Sequence, residues 1–164
     1  MSKWIIFVMG VSGSGKSTIG KMLSEKLKVP FFDGDDFHPE ENVRKMQAGI
    51  PLTDEDRYAW LMRLHEVASE RAKQEGGIIA CSALKESYRK LLMEGIEDNV
   101  KWIFLEGEYG LIKERMLSRS AHFMPTKLLS SQFDTLEIPA YAIRINIDTT
   151  PEIIVDHIMN QLEY

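Results

Sequence analysis

The sequence contains almost no cysteine, since Cys81 is the only one among its 164 residues. An intrachain disulfide is therefore impossible, which excludes the small secreted folds that depend on such bonds. This composition is typical of proteins from a reducing compartment, so we predict a cytoplasmic location. Because Cys81 ends a short apolar segment, we interpret it as a buried structural residue rather than a nucleophile.

Long apolar runs are also missing, and none approaches the ~20 residues that a membrane-spanning helix needs. The apolar run at residues 4–9 is too short for the apolar part of a signal peptide, and it leads directly into a glycine-rich turn. We therefore predict a buried first strand at this position and no membrane partner.

Positive charge is not in excess either: 20 lysines and arginines face 25 acidic residues, giving a net charge of −5 and a pI of about 5.4. Nucleic acids and anionic membranes favour positively charged partners, so both are disfavoured here. A small anionic substrate stays possible, because a few cations near a site can outweigh the net charge. The chain length suits one domain spanning residues 1–164.

Short apolar segments alternate with amphipathic segments along the chain, which predicts an α/β fold with a central parallel sheet in a three-layer α/β/α arrangement. The predicted strands lie at 4–10, 30–32, 76–82, 100–107 and 142–148, and the predicted helices at 17–29, 53–74, 86–94, 109–119 and from 151 onward. Residues 34–52 and about 120–140 fit neither pattern. Long connections in a compact domain are typical of binding loops, and we predict that 118–140 forms a mobile lid.

A phosphate-binding loop (P-loop) is predicted by the pattern Gly10-x-x-x-x-Gly15-Lys16-Ser17, which lies between the first strand and the first helix. Backbone amides in such a loop bind phosphate oxygens, the lysine bridges the β- and γ-phosphates, and the serine binds Mg²⁺. An ordinary glycine turn is the alternative, but it does not require so many fixed positions. The predicted ATP-binding residues here are Gly10, Val11, Ser12, Gly13, Ser14, Gly15, Lys16, Ser17 and Thr18.

This loop places the chain among P-loop nucleotide-binding proteins without giving the reaction. The Asn-Lys-x-Asp motif that reads guanine in GTPases is absent from the sequence, and ATPase motors need a much longer chain. The small size and the predicted lid favour a small-molecule kinase of the nucleoside-monophosphate-kinase type. A nucleotide-binding sensor without catalysis remains an alternative.

Two aspartates follow the second predicted strand, at the sheet edge where ligands collect in α/β proteins. Asp33 and Asp35 are two residues apart, so on an extended chain their side chains point the same way, and Asp36 points away. We predict that Asp33 helps to hold Mg²⁺ and that Asp35 is the base that deprotonates an attacking hydroxyl. A solvated acidic turn around Gly34 is the alternative.

Longer motifs carry a resemblance to a known family. They are "GVSGSGKST", "DGDDFHPEENVRKMQAGIPLTDEDRYAWL", "CSALKESYRKLL", "RSAHF" and "LLSSQFDTLEIP". The chain resembles the gluconate kinases, which are small P-loop kinases related to shikimate kinase, and it departs from them at Ala59, where proline is usual. The resemblance implies ATP-dependent phosphorylation of gluconate on its 6-hydroxyl, Mg²⁺ as cofactor and a possible homodimer. Another small polyol or acid, such as shikimate, is the alternative acceptor.

The resemblance also suggests which residues bind gluconate. Arg57 takes the place where related kinases hold a substrate carboxylate, and His38 is suited to bind a hydroxyl. Lys85 and Arg89 share a helical face and are further candidates. Each has a structural alternative: Arg57 as the partner of a neighbouring acidic residue, His38 as a turn cap, and the Lys85–Arg89 pair as a solvated surface.

Basic residues of the predicted lid complete the candidate site. Arg115 and Arg119 are four residues apart on the helix that leads into the lid, and related kinases use such an arginine on the nucleotide phosphates. Arg119 is therefore a catalytic candidate, while His122 is a candidate substrate ligand. The alternative is a basic helix end that only complements the helix dipole.

Overall fold

A computed structural model of the chain describes residues 4–118 and 127–162. Its strands are β1 (Ile5–Met9), β2 (Phe31–Asp33), β3 (Gly77–Ala80), β4 (Val100–Glu106) and β5 (Ile143–Asn146). Its α-helices are α1 (Lys16–Leu27), α2 (Glu40–Gln47), α3 (Asp54–Ala72), α4 (Glu86–Met93), α5 (Tyr109–Leu117), α6 (Lys127–Thr135) and α7 (Pro151–Leu162). The predicted alternation of strands and helices is thus confirmed, and both unassigned stretches contribute a helix, α2 and α6.

The five strands form one sheet in the order β2-β3-β1-β4-β5, and every neighbouring pair is parallel. Short apolar segments such as β1 are typical of strands that are covered on both faces. Because all five strands point the same way, their carboxyl ends lie at one edge of the sheet. The P-loop follows β1 in the middle of that edge, and Asp33 ends β2.

Helices cover both faces of the sheet, which confirms the predicted three-layer α/β/α architecture. On one face, Ile6 and Val8 of β1 belong to an apolar cluster with residues of α1, α5, α6 and α7. On the other face, Ile5 and Phe7 belong to a cluster with residues of α3 and α4. Alternate β1 side chains thus anchor opposite layers, as the two-residue period of a strand requires.

A third and smaller apolar cluster lies apart from these two. It consists of Met46 of α2, Leu52 before α3 and Leu128 of α6. We call these three residues the minor cluster. It joins the two stretches that the sequence pattern left unassigned.

The start of α3 is fixed by a capping box, and the three-residue spacing of Thr53 and Asp56 is typical of this motif. The Thr53 hydroxyl accepts a hydrogen bond from the Asp56 amide at 3.1 Å, and the Asp56 carboxylate accepts one from the Thr53 amide at 3.0 Å. Lys45 of α2 also donates to Asp56, at 2.9 Å, and these contacts hold the pKa of this carboxyl well below its usual range. The capping box therefore ties α2 to the first turn of α3.

Within residues 4–118 and 127–162, no helix combines the length and the apolar character that crossing a bilayer requires.

Candidate active site

The P-loop adopts the strongly curved backbone that its glycines predict. Gly13 and Gly15 have φ angles of 82° and 96°, a region that L-residues with a side chain rarely occupy. A Cβ atom on Gly13 would also come within 2.6 Å of the Met116 side chain. Helix α1 begins directly after Gly15, so its positive dipole end and unpaired amides face the loop.

A hollow inside this loop is suited to phosphate groups, and we call it the phosphate hollow. Its described lining is formed by Ser12, Gly13, Gly15, Lys16, Ser17, Thr18 and Asp35. The Lys16 ammonium donates to the Val11 carbonyl oxygen at 3.0 Å, which holds this side chain across the loop. The hollow thus combines one fixed cation with the first amides of a helix, the usual ingredients of an anion site.

A hydroxyl and a carboxylate meet beside the phosphate hollow. The Ser17 hydroxyl donates to Asp33 Oδ2 at 2.7 Å, and Asp33 Oδ1 accepts from the Asp35 amide at 3.0 Å. Hard oxygen donors of this kind fit Mg²⁺, which keeps several waters and binds few protein ligands. No group of three or more His, Cys, Asp or Glu side chains suited to a metal occurs in residues 4–118 and 127–162, so phosphate and water oxygens would complete the shell.

A large cleft of about 600 Å³, open mouth included, adjoins the phosphate hollow. Its described lining is formed by Ser12, Lys16, Asp35, His38, Met46, Pro51, Leu52, Arg57, Trp60, Ser82, Leu84, Leu128, Ser131 and Gln132. Ser12, Lys16 and Asp35 line both spaces, so they form the wall that the cleft and the hollow share.

The backbone at Asp35 differs from the extended chain that the sequence analysis assumed. Residues Gly34–Phe37 form a short 3₁₀ helix, and the Asp33 carboxylate caps it by accepting from the Asp35 amide. The two carboxylates are therefore separated: Asp33 bonds to Ser17, while Asp35 stands on the shared wall. The assumption of an extended chain was wrong because the glycine and the cap favour a turn, yet the turn still brings Asp35 to the cleft.

Arg57 lies in the cleft, where a local network holds it. Its Nη1 donates to the Leu52 carbonyl oxygen at 2.7 Å and to the Tyr88 hydroxyl at 3.1 Å. Tyr88 in turn donates to Asp54, which also pairs with Lys85 at 3.1 Å. Asp54 thus takes Lys85 as its ion-pair partner, and Lys85 is not among the described residues that line the cleft.

Arg89 is also placed away from the cleft, although the sequence analysis named it as a substrate ligand. Its side chain is 1% exposed, and it donates to the carbonyl oxygens of Ala83 and Glu137 at 2.6 and 2.8 Å and to the Tyr141 hydroxyl at 3.0 Å. Ala83 has a φ of 45°, so Arg89 holds the carbonyl of a strained residue after β3. We correct its role to that of a structural anchor.

His38 lies in the cleft and stacks on Trp60, with ring centroids 4.0 Å apart and an angle of 15° between the planes. The Trp60 indole N–H donates to the Gly34 carbonyl oxygen at 2.7 Å. Burial, together with the nearby Arg57 cation, lowers the pKa of His38 from 6.5 to about 4. The imidazole is therefore neutral at neutral pH. Because the ring lies in the cleft, the alternative of a simple turn cap does not describe its whole position.

We expect this buried neutral histidine to make the protein less stable in mild acid. The unfolded chain binds a proton at His38 near pH 6.5 and the folded chain only near pH 4, so stability falls as the pH drops through that interval. The loss attributable to His38 is up to about 3 kcal/mol. Urea unfolding from pH 7 to 4 should show a shallower loss in His38→Phe, which keeps an aromatic ring without a titrating group.

The matched control for this experiment is His157→Phe, at an exposed position of α7. Its pH dependence should follow that of the wild-type protein. Equal slopes for His38→Phe and the wild type would contradict a neutral buried imidazole.

A side groove also adjoins the P-loop. Its described lining is formed by Ser14, Gly15, Thr18, Ile19, Arg115, Thr149, Pro151 and Ile154. Arg115 donates to the Ile147 carbonyl oxygen at 2.8 Å, and the buried Ser14 hydroxyl has no partner within the described residues. Arg115 is therefore brought beside the P-loop, whereas Arg119 and His122 lie outside the described residues.

Helix α6 contributes site residues that the sequence analysis missed. Gln132 Oε1 accepts from the Ser12 amide at 2.7 Å, and Ser131 lines the cleft beside it. They fall in a stretch without clear periodicity, so only the family-like motif "LLSSQFDTLEIP" marked them. Cys81, by contrast, is buried as predicted, and burial raises the pKa of its thiol to about 12, which excludes a nucleophilic role at neutral pH.

The chain matches known proteins over nearly its whole length. A family model described as shikimate kinase matches residues 12–163. A probable gluconokinase of Xenopus tropicalis is 40% identical, in a match that covers 97% of this chain and 93% of that protein. The thermosensitive gluconokinase of Escherichia coli strain K12 is 50% identical, covering 80% of this chain and 71% of that protein.

Solved structures give the same result. The crystal structure of a gluconokinase from Sinorhizobium meliloti 1021 matches with a TM-score of 0.88 and 42% sequence identity. The match covers 98% of this chain and 91% of that one. Fold and sequence therefore point to the same group of proteins.

Proposed function

Since the chain belongs to the gluconokinases of the shikimate kinase family, we propose that it transfers the γ-phosphoryl group of ATP to D-gluconate and forms 6-phospho-D-gluconate. The alternatives, a sensor without catalysis or a kinase of another acid, are not favoured by these relatives.

The wall shared by the phosphate hollow and the large cleft carries the proposal. Lys16 and Asp35 face both spaces, so a phosphate chain in the hollow and an alcohol in the cleft would meet beside them. A transfer between two bound substrates needs this adjacency more than it needs covalent help from the protein. The large cleft is therefore the proposed acceptor site.

We assign the donor side to the P-loop. Its amides and the Lys16 ammonium bind the phosphates of ATP and stabilise the charge that spreads over the transferring group. The nucleoside part would occupy the side groove, where Arg115 and the Ser14 hydroxyl lie, and this hydroxyl has no partner among the described residues. The Ser17 hydroxyl and the Asp33 carboxylate would hold Mg²⁺, which neutralises charge on the phosphate oxygens when it is bound.

On the acceptor side, Asp35 is the proposed base. As the 6-hydroxyl oxygen of gluconate forms its bond to the γ-phosphorus, the bond from that phosphorus to the bridging oxygen breaks and ADP leaves. The hydroxyl proton passes to the Asp35 carboxylate and from there to water. The other end of gluconate carries a carboxylate. Lys16 and Arg57 are the cations among the described residues that line the cleft, and because Lys16 is assigned to the phosphates, Arg57 is the proposed partner of this carboxylate.

The test is a comparison of acceptors by their rates of ADP release. We expect gluconate to be the best substrate among gluconate, glucitol, shikimate and AMP. Glucitol has the same chain of hydroxyls without the carboxylate, so its kcat/KM should be roughly 10–100-fold lower, the value of a charge-assisted hydrogen bond. A higher rate with shikimate or AMP would contradict the proposed acceptor, and equal rates with glucitol and gluconate would remove Arg57 from its role.

Other properties stay predictions from the sequence. They are a cytoplasmic location, a homodimer, a single domain over residues 1–164, a mobile lid at about 118–140, and the roles of Arg119 and His122.

A further inference from the structure

We propose that Asn42 acts as a positioning residue that fixes His38 in the tautomer protonated at Nε2, so that the imidazole offers an N–H donor to the acceptor in the cleft. The role of this N–H in substrate binding rests on the proposed function, whereas the tautomer itself does not. Asn42 lies in the first turn of α2, and its side chain is almost fully buried, at 3% exposure. Neither residue type nor spacing had marked it as part of the site.

The amide nitrogen of Asn42 makes two contacts. Nδ2 lies 2.8 Å from the backbone carbonyl oxygen of Asp56 and 3.2 Å from Nδ1 of His38. The carbonyl oxygen of Asp56 can only accept, so the Asn42 atom beside it must be the NH₂ group and not the amide oxygen. This contact removes the usual ambiguity between the two ends of an asparagine amide.

The orientation of the amide then determines the state of the imidazole. An NH₂ group carries two hydrogens, one for the Asp56 carbonyl and one for His38, so Nδ1 must accept and carries no proton. A neutral imidazole with a bare Nδ1 is protonated at Nε2. The doubly protonated ring would set an N–H against the NH₂ of Asn42, and burial and Arg57 also disfavour that charge.

Surrounding contacts keep this pair in place. The imidazole stacks on Trp60, which limits ring rotation, and the Asp56 backbone belongs to the capping box at the start of α3. Lys45 also binds Asp56 from α2, the helix that carries Asn42. Asn42 therefore spans from the cap of α3 to the cleft residue His38.

The tautomer matters for the division of labour in the cleft. An N–H at Nε2 binds an oxygen of the acceptor, whereas a bare Nε2 would present a second base near Asp35. With the donor tautomer, only the Asp35 carboxylate removes the proton. His38 then favours substrates that place an oxygen atom within reach of its Nε2–H. Asn42 thus contributes to acceptor binding without touching the substrate.

The tautomer can be measured directly by long-range ¹H–¹⁵N correlation NMR of the ¹⁵N-labelled full-length protein at pH 7. We expect His38 to show a protonated Nε2 and an unprotonated Nδ1, with the signals assigned by their loss in His38→Gln. A protonated Nδ1 in the wild-type protein would overturn the proposal. This readout needs no substrate, so it stands even if gluconate proves to be the wrong acceptor.

Variants test the part played by Asn42. In Asn42→Asp a carboxylate faces Nδ1, so we expect Nδ1 to become protonated and the KM for gluconate to rise roughly 3–10-fold. The KM for ATP and kcat should change less than 2-fold. The matched control is Asn160→Asp, the same change at an exposed position of α7, which should leave spectrum and kinetics unaltered. An unchanged His38 spectrum in folded Asn42→Asp would overturn the proposal, and the wild-type spectrum decides if that variant does not fold.

Discussion

Replacing Asp35 by asparagine is expected to lower kcat for gluconate phosphorylation by about 10²–10⁴-fold, the range for loss of a general base. The amide has nearly the shape of the carboxylate but cannot take the proton of the attacking hydroxyl. Asp35 lies on the wall between the phosphate hollow and the cleft, so the loss should appear in turnover, with ATP bound nearly as before. ADP release measures the first effect, and calorimetric titration with ATP measures the second.

Asp36→Asn is the matched control for this prediction. Asp36 is exposed and is not among the residues that line the cleft or the hollow, although it is the neighbour of Asp35 in the sequence. Its variant should turn over at nearly the wild-type rate. Turnover of Asp35→Asn within 10-fold of the wild type would assign proton removal to another group.

Replacing Lys16 by methionine is expected to lower kcat by about 10²–10³-fold and to weaken ATP binding as well. Methionine keeps the length of the side chain but removes the cation that the Val11 carbonyl holds across the P-loop. The phosphoryl group that we expect in the hollow would then lack the lysine cation of the P-loop. This double effect distinguishes Lys16 from Asp35, whose loss should spare nucleotide binding.

For Lys16 the chain offers Lys21→Met as a control, because Lys21 lies on the same helix and is exposed. Calorimetry and ADP release with both variants should separate a local effect from a general change in charge. If Lys16→Met bound ATP as tightly as the control and lost only gluconate affinity, the phosphate role of Lys16 would be wrong.

Most of the fold was predictable because local signals and tertiary packing agree. The strands are short apolar segments, the P-loop pattern fixes where β1 ends and α1 begins, and the Thr53 capping box fixes the start of α3. Helix α6 was not predictable from periodicity, because its buried positions Leu128 and Leu129 are adjacent, and Leu128 lies with polar residues on the face that borders the cleft. Such a segment shows no single apolar stripe.

The site residues that belong to a recognisable motif were predictable from the sequence. Those whose position depends on tertiary packing were not. Lys16, Asp35, His38 and Arg57 lie together at the cleft as the sequence suggested. Arg89 has the same charge as Arg57, yet the loop after β3 buries it and uses its donors on backbone carbonyls. Spacing along a helix shows which residues share a face, but not whether that face meets a ligand or another loop.

The walls of the cleft differ in what supports them. Trp60 is 1% exposed and belongs to one of the two large cores, and it also carries His38 and bonds to the residue before Asp35. The minor cluster of Met46, Leu52 and Leu128 also lines the cleft, and it packs separately from the two large cores. Substitutions in the minor cluster that add or remove a methylene group should therefore change the size of the cleft and leave the two large cores intact. Such changes are a route by which the cleft could evolve to accept a substrate of another size. A smaller side chain at Trp60 would instead lower the stability of the fold and also disturb the positions of His38 and Asp35.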